Sequence, residues 1–178
     1  VHIEYAGAGI ALYHGPETNL HKPPNETILL PVQTKPGPEY LGAQRKTNNT
    51  GELTALLVAL QQANTHRKGA FHHIHSDSQY AIGRATSSNA SRKNKVLIAN
   101  LRKELHACRE RHGYRNVIIS HVKAHSDHPR NDMADKLAKA GATAAAKQHT
   151  KLAPVRRRQH PAADTPARAI NTTPLGTR

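Results

Sequence analysis

The sequence predicts an α/β domain built on a mixed sheet, followed by a basic tail without regular structure. Short apolar runs of strand length stand between segments whose leucines or alanines recur at helical spacing. Their order is three early strands, helix, strand, helix, strand, helix, the pattern of an α/β domain. After about Gln148 the periodicity dissolves. These observations divide the chain into a domain over 1–147 and a tail over 148–178 that is expected to be disordered.

The first element is "AGIALY", an apolar run with glycines on either side that reads as a strand. The turn-rich "HGPETNLHKPPNE" connects it to "TILLPV", a second strand, and "PGPEYLGAQ" reads as a turn leading into a short third one. In "NNTGELTALLVALQQANTHRKG", Leu53, Leu56, Leu57 and Leu60 recur at i, i+3, i+4 and i+7, the stripe of an amphipathic helix. Asn48, Asn49 and Thr50 supply capping chemistry at its start, and Gly69 is the expected stop. "AFHHIHSDSQY" reads as a strand ending at Asp77, with a short helix from Gln79 to about Ala85.

A polar, basic connector, "TSSNASRKN", precedes a helix striped by Leu97, Leu101, Leu105 and Cys108 and closed by Gly113. "YRNVIISHVKAH" is an apolar, β-branched strand of the kind buried inside a sheet. After the loop "SDHPR" comes a last helix over about Asn131 to Lys147, with Ala134, Leu137, Ala138 and Gly141 on one face.

Composition narrows the partners. The 178 residues carry a formal net charge of +14, which points to a polyanion: nucleic acid first, an acidic membrane surface second. Seven Lys and Arg against one Asp from Lys147 onward place about six of those charges in the tail, so the domain is basic in its own right. One cysteine, Cys108, excludes an internal disulfide framework and fits a reducing compartment. No run is apolar enough to span a membrane. Among the 14 histidines, His72, His73 and His75 alternate along a strand, and His112 stands four residues from Cys108. No second cysteine or paired histidine motif accompanies them, so structural zinc is disfavoured.

Three of only 12 carboxylates stand at telling places. Glu52 borders the apolar stripe of the first helix, Asp77 lies just past the carboxyl end of a strand, and Asp135 leans toward the core side of the last helix. Acids beside buried faces are costly unless a cation or hydrogen bonds satisfy them. Each also has a plain local reading: Glu52 and Asp135 suit a helix N-terminus, and Asp77 could cap the helix after it. Convergence of the three would favour a divalent ion.

"NNTGELTALLVAL", "HSDSQYAIG" and "HVKAHSDHPRNDMADKLAKAGA" resemble, in order and spacing, the signature segments of type 1 ribonuclease H, a family of cellular enzymes and of domains attached to retroelement reverse transcriptases. The resemblance covers roughly residues 7–146 and implies a ribonuclease H-like mixed five-stranded sheet flanked by helices. It implies endonucleolytic hydrolysis of the RNA strand of RNA–DNA hybrids by two-metal-ion chemistry. Glu52, Asp77 and Asp135 match three of the family's four metal-binding acids, with Mg²⁺ or Mn²⁺ as the ion, and His125 matches its mobile catalytic histidine. Asn48, Asn49 and Gln79 match positions that touch the hybrid, and Ser78 matches a structural serine. Asp132 matches an acid outside the primary metal site. Beside these, Arg92, Lys93 and Lys95 in the connector, and the pair Arg45 and Lys46, are candidates for backbone contacts, with a solvated helix end as the alternative. No small-molecule cofactor and no membrane partner is implied.

The family's fourth acid is an Asp on its first strand, and no Asp occurs before Asp77. Either that strand lies upstream of Val1, the favoured account, or residues 1–5 are a degenerate first strand with Ala6 at the Asp position. In both cases weak or absent nuclease activity is expected. A catalytically dead hybrid-binding module and a basic architectural nucleic-acid protein are the competing functions. The parent protein is left open between a cellular enzyme and a retroelement polyprotein. The arbitrary look of both ends favours the latter, with a covalently linked upstream reverse transcriptase as partner.

Overall fold

A computed structural model of the chain describes residues 5–15, 22–123 and 129–152, with side chains to Lys147. The apolar run near the start forms β1 (Gly7–Leu12), which pairs antiparallel with β2 (Glu26–Pro31) in a register that sets Gly9 opposite Leu29 and Ile10 opposite Ile28. The bond from Val32 N to the Ala6 carbonyl extends that ladder, so Ala6 already belongs to this hairpin. The short strand expected near Tyr40 is absent: the Pro- and Gly-rich turn around Pro36, Gly37 and Pro38 leads to Gly42, whose φ of +105° breaks any extended run.

Helix α1 (Asn48–Thr65) starts one residue earlier in its capping than the asparagines suggested. Thr47 is the N-cap, and Thr47 and Thr50 exchange side-chain and backbone bonds in a capping box spelled with two threonines. The helix ends at His66, so Gly69, with φ +79°, shapes the turn beyond rather than the cap. Strand β3 (His72–Ser76), helix α2 (Gln79–Thr86), helix α3 (Lys95–His112) and strand β4 (Val117–His121) follow, with a single 3-10 turn before β4. β3 and β4 pair in parallel, His72 beside Val117 and Ser76 beside His121. Helix α4 (Pro129–Leu152) begins before Asn131 and runs past Lys147; the basic tail beyond Leu152 lies outside the described residues.

The described strands number four, in two two-stranded sheets, and with the four helices they give the mixed α/β architecture expected of a five-stranded sheet whose first strand is missing or degenerate. One core joins them. Leu53, Leu57 and Leu60 of α1, Leu97, Leu101 and Leu105 of α3, Cys108 and Val117 are all at most 4% exposed and pack together. Burial pushes the Cys108 thiol up to about 11, so it behaves as a small apolar side chain. On the other side α4 lies directly on β1 and β2. A methyl group at Gly7 would collide with the Ala138 carbonyl and the Ala142 nitrogen, and one at Gly9 with the Ala134 carbonyl and the Ala138 nitrogen. Only glycine permits so close an approach of helix to strand. No helix of the described residues is long and apolar enough to cross a membrane.

Candidate active site

Between the two sheets lies a cleft of about 1160 Å³, bordered by β1 on one side and β3 on the other, with α1 and α4 as walls. Glu52, Asp77 and Asp135 all line it, together with Asn48, Asn131, Arg130 and Lys139. Three elements deliver the carboxylates. Glu52 points from the second turn of α1, Asp77 stands just past the end of β3, and Asp135 stands in the second turn of α4.

Their mutual influence shows at Glu52. Burial raises its carboxyl above the ordinary carboxylate range; the Ser78 hydroxyl it accepts from opposes this, and the charges of Asp77 and Asp135 push it further up. Ser78 is buried, caps α2 by accepting from the Ala81 amide at 3.0 Å, and donates to Glu52. It thus ties the start of α2 to α1 and orients one acid. Asp77 is held in turn by Asn131, whose Nδ2 donates to Oδ2 at 3.2 Å, while His121 Nε2 lies 3.1 Å from the Asp77 carbonyl oxygen.

Glu52, its proton affinity raised by burial and by the charges of Asp77 and Asp135, makes with them a set of oxygen donors that fits a hard divalent cation, which would relieve the repulsion. Among the described residues no group of three or more His, Cys, Asp or Glu is already arranged to hold an ion. The fit therefore rests on donor chemistry and on shared electrostatics.

The remaining sequence candidates distribute as follows. Asn48 is exposed at the cleft mouth; Asn49 and Gln79 are exposed beside it and do not line it. Asp132 lies in the first turn of α4, outside the cleft lining. His125 lies outside the described residues. Arg92, Lys93 and Lys95 are all exposed. Asn94 between them has φ +53° and is locked to the loop before α1: Gln44 N donates to Asn94 Oδ1 at 3.1 Å, and Asn94 N donates to Gln44 Oε1 at 2.7 Å. That reciprocal pair sets Arg45 and Lys46 near the basic connector, a grouping that sequence reading had left as two separate patches. Asn131 and Gln44 were missed. Asn131 was findable, because it stands four residues before Asp135 on the same helix face.

The family model described as RNase H matches residues 7–143. A ribonuclease H of Parvibaculum lavamentivorans is 37% identical over 110 residues, covering 56% of this chain and 69% of the relative. A ribonuclease HI of Caulobacter vibrioides is 34% identical over 109 residues, with 56% and 69% covered, and a ribonuclease H of Caulobacter sp. is 34% identical over 104 residues, with 53% and 64% covered. Enzymes of this kind use divalent metal ions, in keeping with the acid cluster. With the match running from the start of β1 into α4, well over half of the sequence, the chain belongs to the RNase H family of hydrolytic ribonucleases.

Proposed function

We propose that this chain is the catalytic domain of an endonuclease that hydrolyses the RNA strand of RNA–DNA hybrids, with Glu52, Asp77 and Asp135 as ligands of Mg²⁺, or of Mn²⁺ in its place. The observation that carries the reading is the electrostatic coupling of Glu52 to both Asp77 and Asp135 in one cleft. When bound, the divalent ions supply charge neutralisation at the scissile phosphate, activation of the attacking water and stabilisation of the leaving 3′ oxygen.

The protein's own groups do the rest. Ser78 and Asn131 hold two of the acids in orientation. Asn48, Asn49 and Gln79, exposed around the cleft mouth, are placed to donate and accept at the hybrid's sugar edges, where 2′-hydroxyls distinguish RNA from DNA. The joined patch of Arg45, Lys46, Arg92, Lys93 and Lys95 binds backbone phosphates and makes affinity fall with salt. His125 serves proton transfer and product release. A linked reverse transcriptase is proposed as the upstream partner on the sequence reading alone.

No Asp stands before Asp77 in this sequence to match the family's fourth acid, and cleavage by the 178-residue chain is expected to be weak. The test is Mg²⁺-dependent cleavage of an end-labelled RNA–DNA hybrid by the 178-residue chain, and by a chain carrying an added N-terminal strand with an Asp. We expect the added strand to raise the rate by about 10² or more, the scale on which one transition-state contact acts. Asp77→Asn in the extended protein should abolish cleavage while leaving hybrid binding within about threefold. Binding without cleavage in the extended protein would favour a non-catalytic hybrid-binding module instead.

A further inference from the structure

We infer that the end of the domain away from the acids holds a metal site of a different class: a Zn²⁺ ion bound by His66, His72 and His112, which clips the ends of α1 and α3 to the start of β3. Neither the acids nor the ribonuclease reading enters into it.

His66 is the C-cap of α1, His72 begins β3 and His112 ends α3. Each comes from a different element, so no paired motif marks them in the sequence. The His72 ring stands 4.5 Å from that of His112 and 5.2 Å from that of His66, centroid to centroid. With Zn–N at about 2.0–2.1 Å and the ring centre about 1.1 Å further, two imidazoles on one ion lie roughly 4.5–5.2 Å apart, for angles of about 90–109° at the metal. Among the described residues no such group is already closed around an ion, so side-chain rotation completes the site. The observation that points to a ligand is at His112. It is 2% exposed, yet neither of its ring nitrogens has a hydrogen-bond partner of good geometry, and nor does His72 Nε2. Buried polar atoms left in that state are costly unless water or an ion satisfies them.

The surroundings keep these rings in the form that binds metal. Burial, then the neighbouring His112 and His66, lowers His72 to about 4. Burial and then the Arg111 charge lower His112, against the weaker opposite pull of the Ala63 and Arg67 carbonyls. Both imidazoles are therefore neutral at pH 7.5, as a metal ligand must be. His66 Nδ1 lies 3.1 Å from the Gln62 carbonyl oxygen. An N–H there donates to that oxygen and leaves Nε2 with its lone pair, the usual outer support of a metal-bound histidine. The backbone is held too: Arg111 Nε and Nη2 donate to the His66 carbonyl at 3.3 and 2.9 Å, and Asn116 Nδ2 donates to the His112 carbonyl at 2.8 Å. Imidazole donors select Zn²⁺ over Mg²⁺, and carboxylates suit the harder ion. His72 and Asp77 stand five residues apart along β3 and just past it, about 17 Å at ~3.3 Å per residue, so the two sites share no ligand. Water takes the fourth position of the tetrahedron; the exposed His14, its ring 5.8 Å from that of His66, is not required.

The experiment titrates the full 178-residue chain with Co²⁺, a spectroscopic stand-in for Zn²⁺, in excess Mg²⁺ so that a hard ion already occupies the acids. One Co²⁺ per chain should give the intense visible bands of four-coordinate metal, and added Zn²⁺ should abolish them. Nuclear magnetic resonance of ring-labelled histidines in the unaltered chain should show Zn²⁺ shifting His66, His72 and His112 and leaving His73 and His106 in place. His66→Ala and His72→Gln should each weaken Co²⁺ binding by more than about tenfold, and His73→Ala should leave it unchanged. Because a substitution in this packed corner can disturb the fold, the histidine shifts of the unaltered chain decide. Absence of the four-coordinate bands would overturn the inference, as would Zn²⁺ shifts confined to His73 and His75 or to His106. Loss of the bands in Asp77→Asn would also overturn it, since the ion would then lie among the acids.

Discussion

On the side of α1 that meets α3, Leu53, Leu57 and Leu60 are at most 1% exposed and interlock with Leu97, Leu101 and Leu105. On the side that meets the cleft, the same helix presents Gly51, Glu52, Ala55 and Ala59 to about 1160 Å³ of space. One flank is filled to the density of a protein interior, and the other carries small side chains and a carboxyl raised by burial and by its acidic neighbours. The difference separates two duties within 18 residues. Stability is concentrated where leucines exclude water, and chemistry where the packing is left open.

That contrast breaks most sharply at its packed side. Leu101→Ala should cost about 2–5 kcal/mol, because a side chain buried between α1 and α3 leaves a cavity that the neighbours cannot collapse into. Ala59→Leu on the open side should change stability by less than about 1 kcal/mol, since the added methyl groups enter existing space. Urea denaturation of both variants checks the pair; comparable losses would mean that the cleft is as tightly packed as the core. A second, smaller effect tests how the open side is walled. Gly9→Ala drives a methyl group into the α4 backbone and should cost about 1–3 kcal/mol, measured by the same denaturation. An unchanged midpoint would show α4 free to lift away from β1.

The packed side was legible in the sequence and the open side only in part. Leucine spacing announced α1 and α3, Gly113 closed α3 as expected with φ +94°, and Asp77 stands just past the end of β3. Local periodicity carries that kind of information. The N-cap was misplaced by one residue because two threonines form the box, without the usual Glu or Gln. The third early strand failed at Gly42, where a backbone preference outweighs the apolar neighbours. Gly7 and Gly9 read only as a strand entry, although their function is to admit α4 more than 120 residues later. Contacts so distant in sequence leave no periodic trace. The three acids were singled out individually from their positions, but their convergence is a property of three elements meeting.

The smallest expected effect lies at the far end of the cleft from the acids. The His72 ring stands 4.5 Å from that of His112 and 5.2 Å from that of His66, centroid to centroid. Burial, then the neighbouring His112 and His66, lowers His72 from the usual imidazole value to about 4, and burial followed by the Arg111 charge lowers His112 as well. A histidine whose folded pKa lies below its unfolded value near 6.5 contributes fully above that pH. Its contribution is lost progressively as pH falls through about 6.5 toward 4, because the unfolded chain takes up the proton first. Glu52 acts in the opposite sense: its raised pKa makes the folded state bind a proton more readily as pH falls, so it offsets part of the loss. The melting temperature should therefore drop by a few degrees between pH 7.5 and 5, about the shift that 1 kcal/mol produces in a domain of this size. His72→Gln should flatten that slope without removing the contribution of His112. A slope unchanged by the substitution would place the titrating group elsewhere, and the two ends of the cleft would then no longer differ in what acid does to them.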